Sequence, residues 1–563
     1  MKFYQMMRKR VLAMMATVVL SVGLLAGCQQ PTEPVGNSGD GSTSPTSTTR
    51  TDEADPPTTL TTAPPTDPTM ASATDPTTAP TAAPPTDPTT APATDPTTAP
   101  TTAPTAAPTD PPTSPSTAEP TRPTAPEEQA EVSLAYIFAD HMVLQREKPV
   151  KIWGTCTGAD TVEVSFQNQR KTGQVTDGAF AVYLDAMEAN ATGSELTVTA
   201  GNASYTITDV LVGDVWLCSG QSNMEMTVGA CNTAQRAQIQ EWAGNSQIRL
   251  TKIPQYSSRV ELSEFDERVV WTDSDYAKLL SNSAYAFVFG ARLQRELEVP
   301  IGIVNSSFGG TDLEQWVSLD TLNSLGIRYG SPGAKYNYMI SPMKGLTIKG
   351  ILWYQGENNV NRTTSYTDLF NAYAAQYREE FEDPDLPIIT TMLDRYYDPA
   401  QLRWGPFRLE QWAIAQGDPH MEIVCSIDLG DKTNIHPNDK CELGVRAAEL
   451  ALNKVYGITS LPGQSAYPSS MRRSGDTLRI RFQDAESGLR LSSGSTVASL
   501  VVVDAAGNSH TVEGTLSGDE LVVPLSGIDT PAYVRYAYDM YPETINFYTG
   551  NGLPVAPFEL AVA

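Results

Sequence analysis

Between residues 210 and 457 the chain repeats one alternation, in which a short and mostly apolar run is followed by a stretch of helical period. The runs are 211–218 (LVGDVWLC), 301–305 (IGIVN), 350–354 (GILWY), 388–392 (IITTM) and 423–427 (IVCSI). Residues 283–298 place Tyr285, Phe289, Leu293 and Leu297 at four-residue spacing, which predicts a helix with one apolar face. Residues 366–381 and 407–416 read as further helices, and 437–456 as a last one with Pro437 in its first turn. Strands that alternate with helices predict an α/β layer with a mostly parallel sheet. Such sheets take ligands at the carboxyl ends of their strands.

Those ends are polar here. The first run leads into Gly220-Gln221-Ser222-Asn223, and the second into Ser306-Ser307-Phe308-Gly309-Gly310-Thr311. The third leads into Gln355-Gly356-Glu357-Asn358-Asn359, and the last into Asp428-Leu429-Gly430-Asp431 and then Ile435-His436-Pro437. Each alone reads as a loop, because Gly, Ser, Asn and Asp favour turns. Together at one sheet edge they supply a hydroxyl, backbone N–H groups beside glycine, side-chain amides, and an imidazole near carboxylates. These are the parts of acyl transfer: nucleophile, oxyanion donors, base and orienting group. The chain has four histidines, and His436 alone both follows a strand of this region and precedes a helix.

The flanks differ. Residues 131–208 contain PVKIWGTC, TVEVSF, AFAVYL and ELTVTA, short alternating runs that predict a small antiparallel β domain. Residues 458–563 return to this pattern with TLRIRF, ASLVVVD, ELVVPL and AYVRYAY. The catalytic region is thus bounded at 209–457. Residues 29–130 are dominated by Pro, Thr, Ala, Ser and Asp, with TDPT starting at Thr66, Thr74, Thr86 and Thr94. So few branched or aromatic residues cannot bury enough surface to fold, and a disordered linker is expected. At about 3.1 Å per residue, an extended linker of this length reaches to about 300 Å.

Residues 1–28 read as an address. Lys2, Arg8, Lys9 and Arg10 precede an apolar core at 11–25. Leu25-Ala26-Gly27-Cys28 resembles the lipobox of bacterial lipoproteins, which implies lipidation of Cys28 and an extracellular protein anchored to the cell membrane. The membrane is then a partner only through that lipid. A formal charge of −27 disfavours nucleic acid, whose phosphates need a basic surface, and leaves a neutral small molecule or neutral polysaccharide as the better fit. No Cys or His spacing suggests zinc. Cys425 and Cys441 flank the His436 loop and form the cysteine pair to test first for a disulfide.

The stretches GDVWLCSGQSNMEM, IGIVNSSFGGTDLEQW, ILWYQGENN and IHPNDK resemble the motifs of the sialate O-acetylesterase family, within the SGNH (GDSL-like) hydrolases. FADHMVLQREKPVKIWG and NFYTGNGLPVAPF resemble the two ends of that family's folded part. The resemblance spans residues 131–563. It implies a flavodoxin-like α/β/α core flanked by two all-β domains, and ester hydrolysis without metal or cofactor. The substrate class it implies is an O-acetylated glycan: O-acetylated sialic acid first, acetylated xylan or another polysaccharide as the alternative. A noncatalytic carbohydrate-binding lipoprotein is the reading from another class.

Carried over, Ser222 is the nucleophile and His436 the general base. The N–H groups of Ser222 and Gly310 line the oxyanion hole, with a side-chain amide from Gln355 or, second, Asn358. Gln221 and Glu357 are candidates to touch substrate, and Glu314 a loop-fixing carboxylate. Trp216 reads as core. Met224 stands where the second glycine of a G-x-S-x-G elbow would be, so the site is not of the α/β-hydrolase type. Many SGNH enzymes carry Asp three residues before the histidine, and here that residue is Thr433. The orienting carboxylate is then Asp431 or Asp428, with Asp431 preferred, or it is absent and a Ser–His dyad remains.

Overall fold

The structure, a computed structural model, describes residues 129–562. Cys28 and residues 29–128 of the expected linker lie outside the described residues. The strand Ala203–Gly220 organises what is described. Its first half alternates exposed and buried positions, as a strand with one wet face must. From Val210 onward every residue is buried, as in a parallel sheet covered on both faces.

The first half pairs antiparallel with Asn190–Ala200, and through it with five more strands of the N-terminal β region. Its second half enters the parallel sheet. The expected boundary at 208/209 therefore falls inside one continuous strand. The pattern of alternation changes there, and the ladder to Asn190–Ala200 shifts register opposite residues 207–212, with Asp209 at φ 54°, but the strand itself continues.

Numbering the parallel strands, β1 is Ala203–Gly220, β2 Ile248–Lys252, β3 Ile301–Ser307, β4 Gly350–Tyr354, β5 Ile388–Thr391 and β6 Met421–Val424. Their spatial order is β2-β3-β1-β4-β5-β6, all parallel, with Trp271–Asp273 antiparallel on the outer edge of β2. Without β2, the other five run 2-1-3-4-5 when counted along the chain. The chain places β2 and β3 on one side of β1 before it crosses to β4 on the other, so β3 and β4 both border the strand that leads to Ser222.

Five helices matter to the site: α1 (Ser222–Glu225), α2 (Ala284–Leu297), α3 (Tyr366–Glu380), α4 (Trp404–Gln416) and α5 (Lys440–Lys454). Trp216 of β1, fully buried, meets Phe289 of α2 edge-on at 5.0 Å, and Trp353 of β4 meets Tyr373 of α3 at 4.6 Å. Trp216 is core, as expected, and its indole N–H donates to Tyr456 Oη (3.1 Å). Burying each such side chain contributes about 2–3 kcal/mol. α2 and α5 pack on each other closely: a Cβ at Gly444 would lie 2.7 Å from Val288.

The last helix begins at Lys440, three residues after Pro437. Asp439, at its cap position, donates no cap; its Oδ2 accepts instead from Gly430 N (2.7 Å) and closes the loop that carries His436. After α5 the chain builds two four-stranded sheets and one two-stranded sheet. From this C-terminal region the segment 538–543 reaches the α/β layer. Arg408 donates to the carbonyls of Asp539 and Met540, and Arg395 to that of Pro542.

Candidate active site

β1 ends at Gly220, whose φ of 137° favours glycine. A Cβ there would also lie 2.1 Å from the carbonyl oxygen of Tyr354 on β4. The chain turns at this point, and α1 begins with Ser222. The cap of the next long helix holds α1 in place. Ser283 Oγ accepts from Ala286 N at the start of α2 and donates to Met224 O (2.6 Å). The N–H of Ser222, in the first turn of a helix, has no acceptor among the described residues.

β3 ends in the turn Phe308-Gly309-Gly310. Phe308 N donates to Gly220 O (3.0 Å), and Gly309 N donates to Glu225 Oε2 (2.6 Å). Glu225 stands three residues after Ser222, on the same side of α1. Its other oxygen accepts from Gln255 Nε2 (2.7 Å), which also donates to Ser307 O (2.9 Å). A Cβ at Gly309 would lie 3.0 Å from Glu225 Oε2 and 3.4 Å from Ser222 Cβ, so this turn touches both. Gly310 is exposed at φ 70°, and its N–H has no acceptor among the described residues. Its carbonyl accepts from Asn358 Nδ2 (2.8 Å).

His436 sits in the loop between β6 and α5. Asn434 grips its backbone from both sides, accepting from His436 N (3.0 Å) and donating to His436 O (2.8 Å). Ser222, Glu225, Thr227, Asn434, His436 and Asn438 line one open cleft of about 400 Å³. Burial lowers the His436 pKa from its ordinary value, and the Lys440 ammonium lowers it further. The Glu225 carboxylate acts in the opposite direction.

Beneath the cleft, Asn223 joins the two halves. Its amide donates to Glu357 Oε1 (2.6 Å) and to Ile435 O (3.0 Å), and its oxygen accepts from Lys440 Nζ (2.9 Å). Lys440 is fully buried, as is Glu357, whose pKa burial raises.

Several expected assignments change. Asp431 is not at the imidazole. Its Oδ1 accepts from Thr433 N, Thr433 Oγ1 and Asn434 N within an exposed turn, and these bonds hold its pKa below the usual range. Asp428 is paired with Arg446 (2.8 Å). Among the described residues, no carboxylate is hydrogen-bonded to the His436 ring.

Gln355 is buried, and its amide donates to Thr311 O and Asn359 Oδ1, so it braces the turn instead of facing the cleft. Asn358 is the exposed amide. Gln221 is also buried, its Oε1 accepting from Gly356 N and Asn358 N. Glu357 and Glu314 are internal braces, Glu314 accepting from Asn359 Nδ2 (2.9 Å). Cys425 and Cys441 are both free thiols.

Sequence reasoning passed over Glu225, Asn223, Asn434 and Lys440. Three of them lie inside the GQSNMEM and IHPNDK stretches. The spacing of Glu225, one helical turn beyond the nucleophile, was the available signal.

The family described as carbohydrate esterase, sialic acid-specific acetylesterase, matches residues 212–453. This interval contains every residue of the cleft. The chain is 27% identical over 505 residues to sialate O-acetylesterase of Mus musculus, covering 74% of this chain and 92% of that one. It is 30% identical over 389 residues to sialate O-acetylesterase of Pongo abelii, covering 60% and 73%. Among solved structures it is similar to a carbohydrate acetylesterase from Xanthomonas citri, with a TM-score of 0.71 and 29% identity over 76% of this chain and 99% of that one. Similarity of this extent, with Ser222 and His436 both inside the matched interval, makes the chain a member of the sialate O-acetylesterase family of carbohydrate esterases.

Proposed function

We propose that the protein is a serine esterase that removes O-acetyl groups from carbohydrate, with O-acetylated sialic acid as substrate. The observation that carries this reading is the single cleft lined by Ser222 and His436. Beside it lies a turn whose Gly310 N–H is unclaimed.

Ser222 Oγ attacks the acetyl carbonyl while His436 takes its proton. The oxyanion that forms is met by the N–H groups of Ser222 and Gly310 and by the Asn358 amide, each donor worth about 3 kcal/mol. The sugar hydroxyl leaves with the proton held by His436. Water, activated by the same imidazole, then releases acetate from Ser222.

The strand order 2-1-3-4-5 supports assignment of the core to the flavodoxin-like class. The lipobox-like Leu25-Ala26-Gly27-Cys28 and the Pro/Thr linker support an envelope-anchored esterase acting at a distance from the membrane.

The test is acetate release from O-acetylated sialoglycoprotein, compared with acetylated xylan, by the protein and by Ser222→Ala. The expected result is turnover of the sialoglycoprotein that the substitution abolishes. Preference for xylan overturns the substrate, and activity surviving in Ser222→Ala overturns the nucleophile.

A further inference from the structure

The carboxylate that usually steadies the catalytic imidazolium has no occupant at its expected place. Thr433 stands three residues before His436, Asp431 is spent on its own turn, and Asp428 on Arg446. A negative group does face the cleft from the other side. Glu225 projects from α1, lines the same cleft as His436, and accepts hydrogen bonds from Gly309 N and Gln255 Nε2, both outside the His436 loop.

We infer that Glu225 fills the vacant third role from the nucleophile's side: it anchors the oxyanion turn through Gly309 N–H and sets a negative charge opposite the His436 imidazole. This rests on the reading of Ser222 and His436 above and adds a positioning residue to it. One side chain then couples two preorganised parts, the donors for the oxyanion and the charge that balances the imidazolium.

The electrostatics agree with the geometry. Of the charged groups that act on His436, Lys440 from α5 disfavours the imidazolium and Glu225 from α1 favours it. Glu225 in turn faces Lys335, whose ammonium burial pushes down to about 8 and which lies over the Phe308 ring. Asn434 and Asn438 are the neutral neighbours in the cleft. A carboxylate acting across space without a direct hydrogen bond contributes less than the roughly 10⁴-fold of a bonded one.

The experiment is the pH profile of kcat/KM on p-nitrophenyl acetate for the full chain, Glu225→Gln and Glu225→Asp. Gln keeps an oxygen acceptor for Gly309 N–H and removes the charge, whereas Asp keeps the charge and shortens the reach. The expected result for Glu225→Gln is a roughly tenfold lower kcat and an acid limb shifted to lower pH, with the limb of Glu225→Asp close to that of the unaltered protein. A Glu225→Gln limb that does not move overturns the inference, as does a ranking in which Gln matches the unaltered protein and Asp alone is impaired, since that is the pattern of a purely structural anchor.

Should Glu225→Gln not fold, the Glu225→Asp limb against that of the unaltered protein, with the His436 ring resonance titrated in both, decides the question: a limb shifted down with a failed anchor overturns it, and a retained limb supports it. Activity persisting in Ser222→Ala overturns the underlying reading instead, so the two failures are distinct.

Discussion

Asn223, the residue after Ser222, donates its amide to the carbonyl of Ile435, the residue before His436, at 3.0 Å. Ser222 and His436 follow the first and the last parallel strand in chain order, 214 positions apart in sequence (436 − 222). A single side chain fixes their separation, and the same amide also accepts from Lys440 and donates to Glu357.

Asn223→Ala leaves a buried ammonium and a buried carboxylate without their shared partner. Stability is expected to fall by about 3 kcal/mol, read from urea denaturation. The kcat for acetyl-ester hydrolysis is expected to fall more than tenfold even where the fold persists, because the Ser222–His436 spacing is released.

Asn358→Ala and Gln355→Ala separate the two amides of the QGENN turn. Asn358 is exposed beside Gly310, so its loss is expected to reduce kcat about 10²- to 10³-fold with little change in Tm. Gln355 is buried and braces Thr311 and Asn359, so its loss is expected to lower Tm by several degrees. The reverse pattern would move the oxyanion donor to Gln355.

Burial and then the Lys440 charge depress the His436 pKa, so the imidazole stays neutral, and able to accept a proton, to lower pH than an ordinary histidine. The acid limb of kcat/KM is expected below about 6.5, the ordinary histidine value. Lys440→Met removes a positive neighbour, which favours the imidazolium and raises its pKa, so the limb moves to higher pH. This sign is opposite to that expected for Glu225→Gln.

Asp431→Asn retains an oxygen that accepts the three turn bonds, and is expected to keep kcat within about threefold. Asp428→Asn removes the carboxylate paired with the largely buried Arg446 and is expected to cost about 3 kcal/mol of stability, measured by chemical denaturation. A large kcat loss in Asp431→Asn with unchanged stability would return the orienting role to that residue.

The strands that frame the site were legible because β3 and β4 are continuous apolar runs, the mark of a strand buried on both faces. Ser222 and His436 were legible because polar knots at strand ends gather at one sheet edge. β2 was not, since IRLTK carries Arg249 and Thr251. Both are buried, Arg249 through its pair with Asp209, a compensation that periodicity does not reveal. The choice between Gln355 and Asn358 was not legible either, because three residues on a tight turn reverse a side chain's direction. Asp431 stood nearer to His436 along the chain than Asp428, but its turn consumes the carboxylate locally, whereas Glu225 lines the same cleft from 211 positions away (436 − 225).

Hydrogen-bonded strands run in one sheet from Glu131–Leu134, the first described strand, to Ala203–Gly220, which leads to Ser222. Tension applied at residue 131 would therefore be carried through these ladders toward Ser222, and the register shifts opposite residues 207–212 are where the path would yield. A truncation starting at residue 209 would not free a self-sufficient catalytic body: it would sever the beam on which the reactive hydroxyl is mounted.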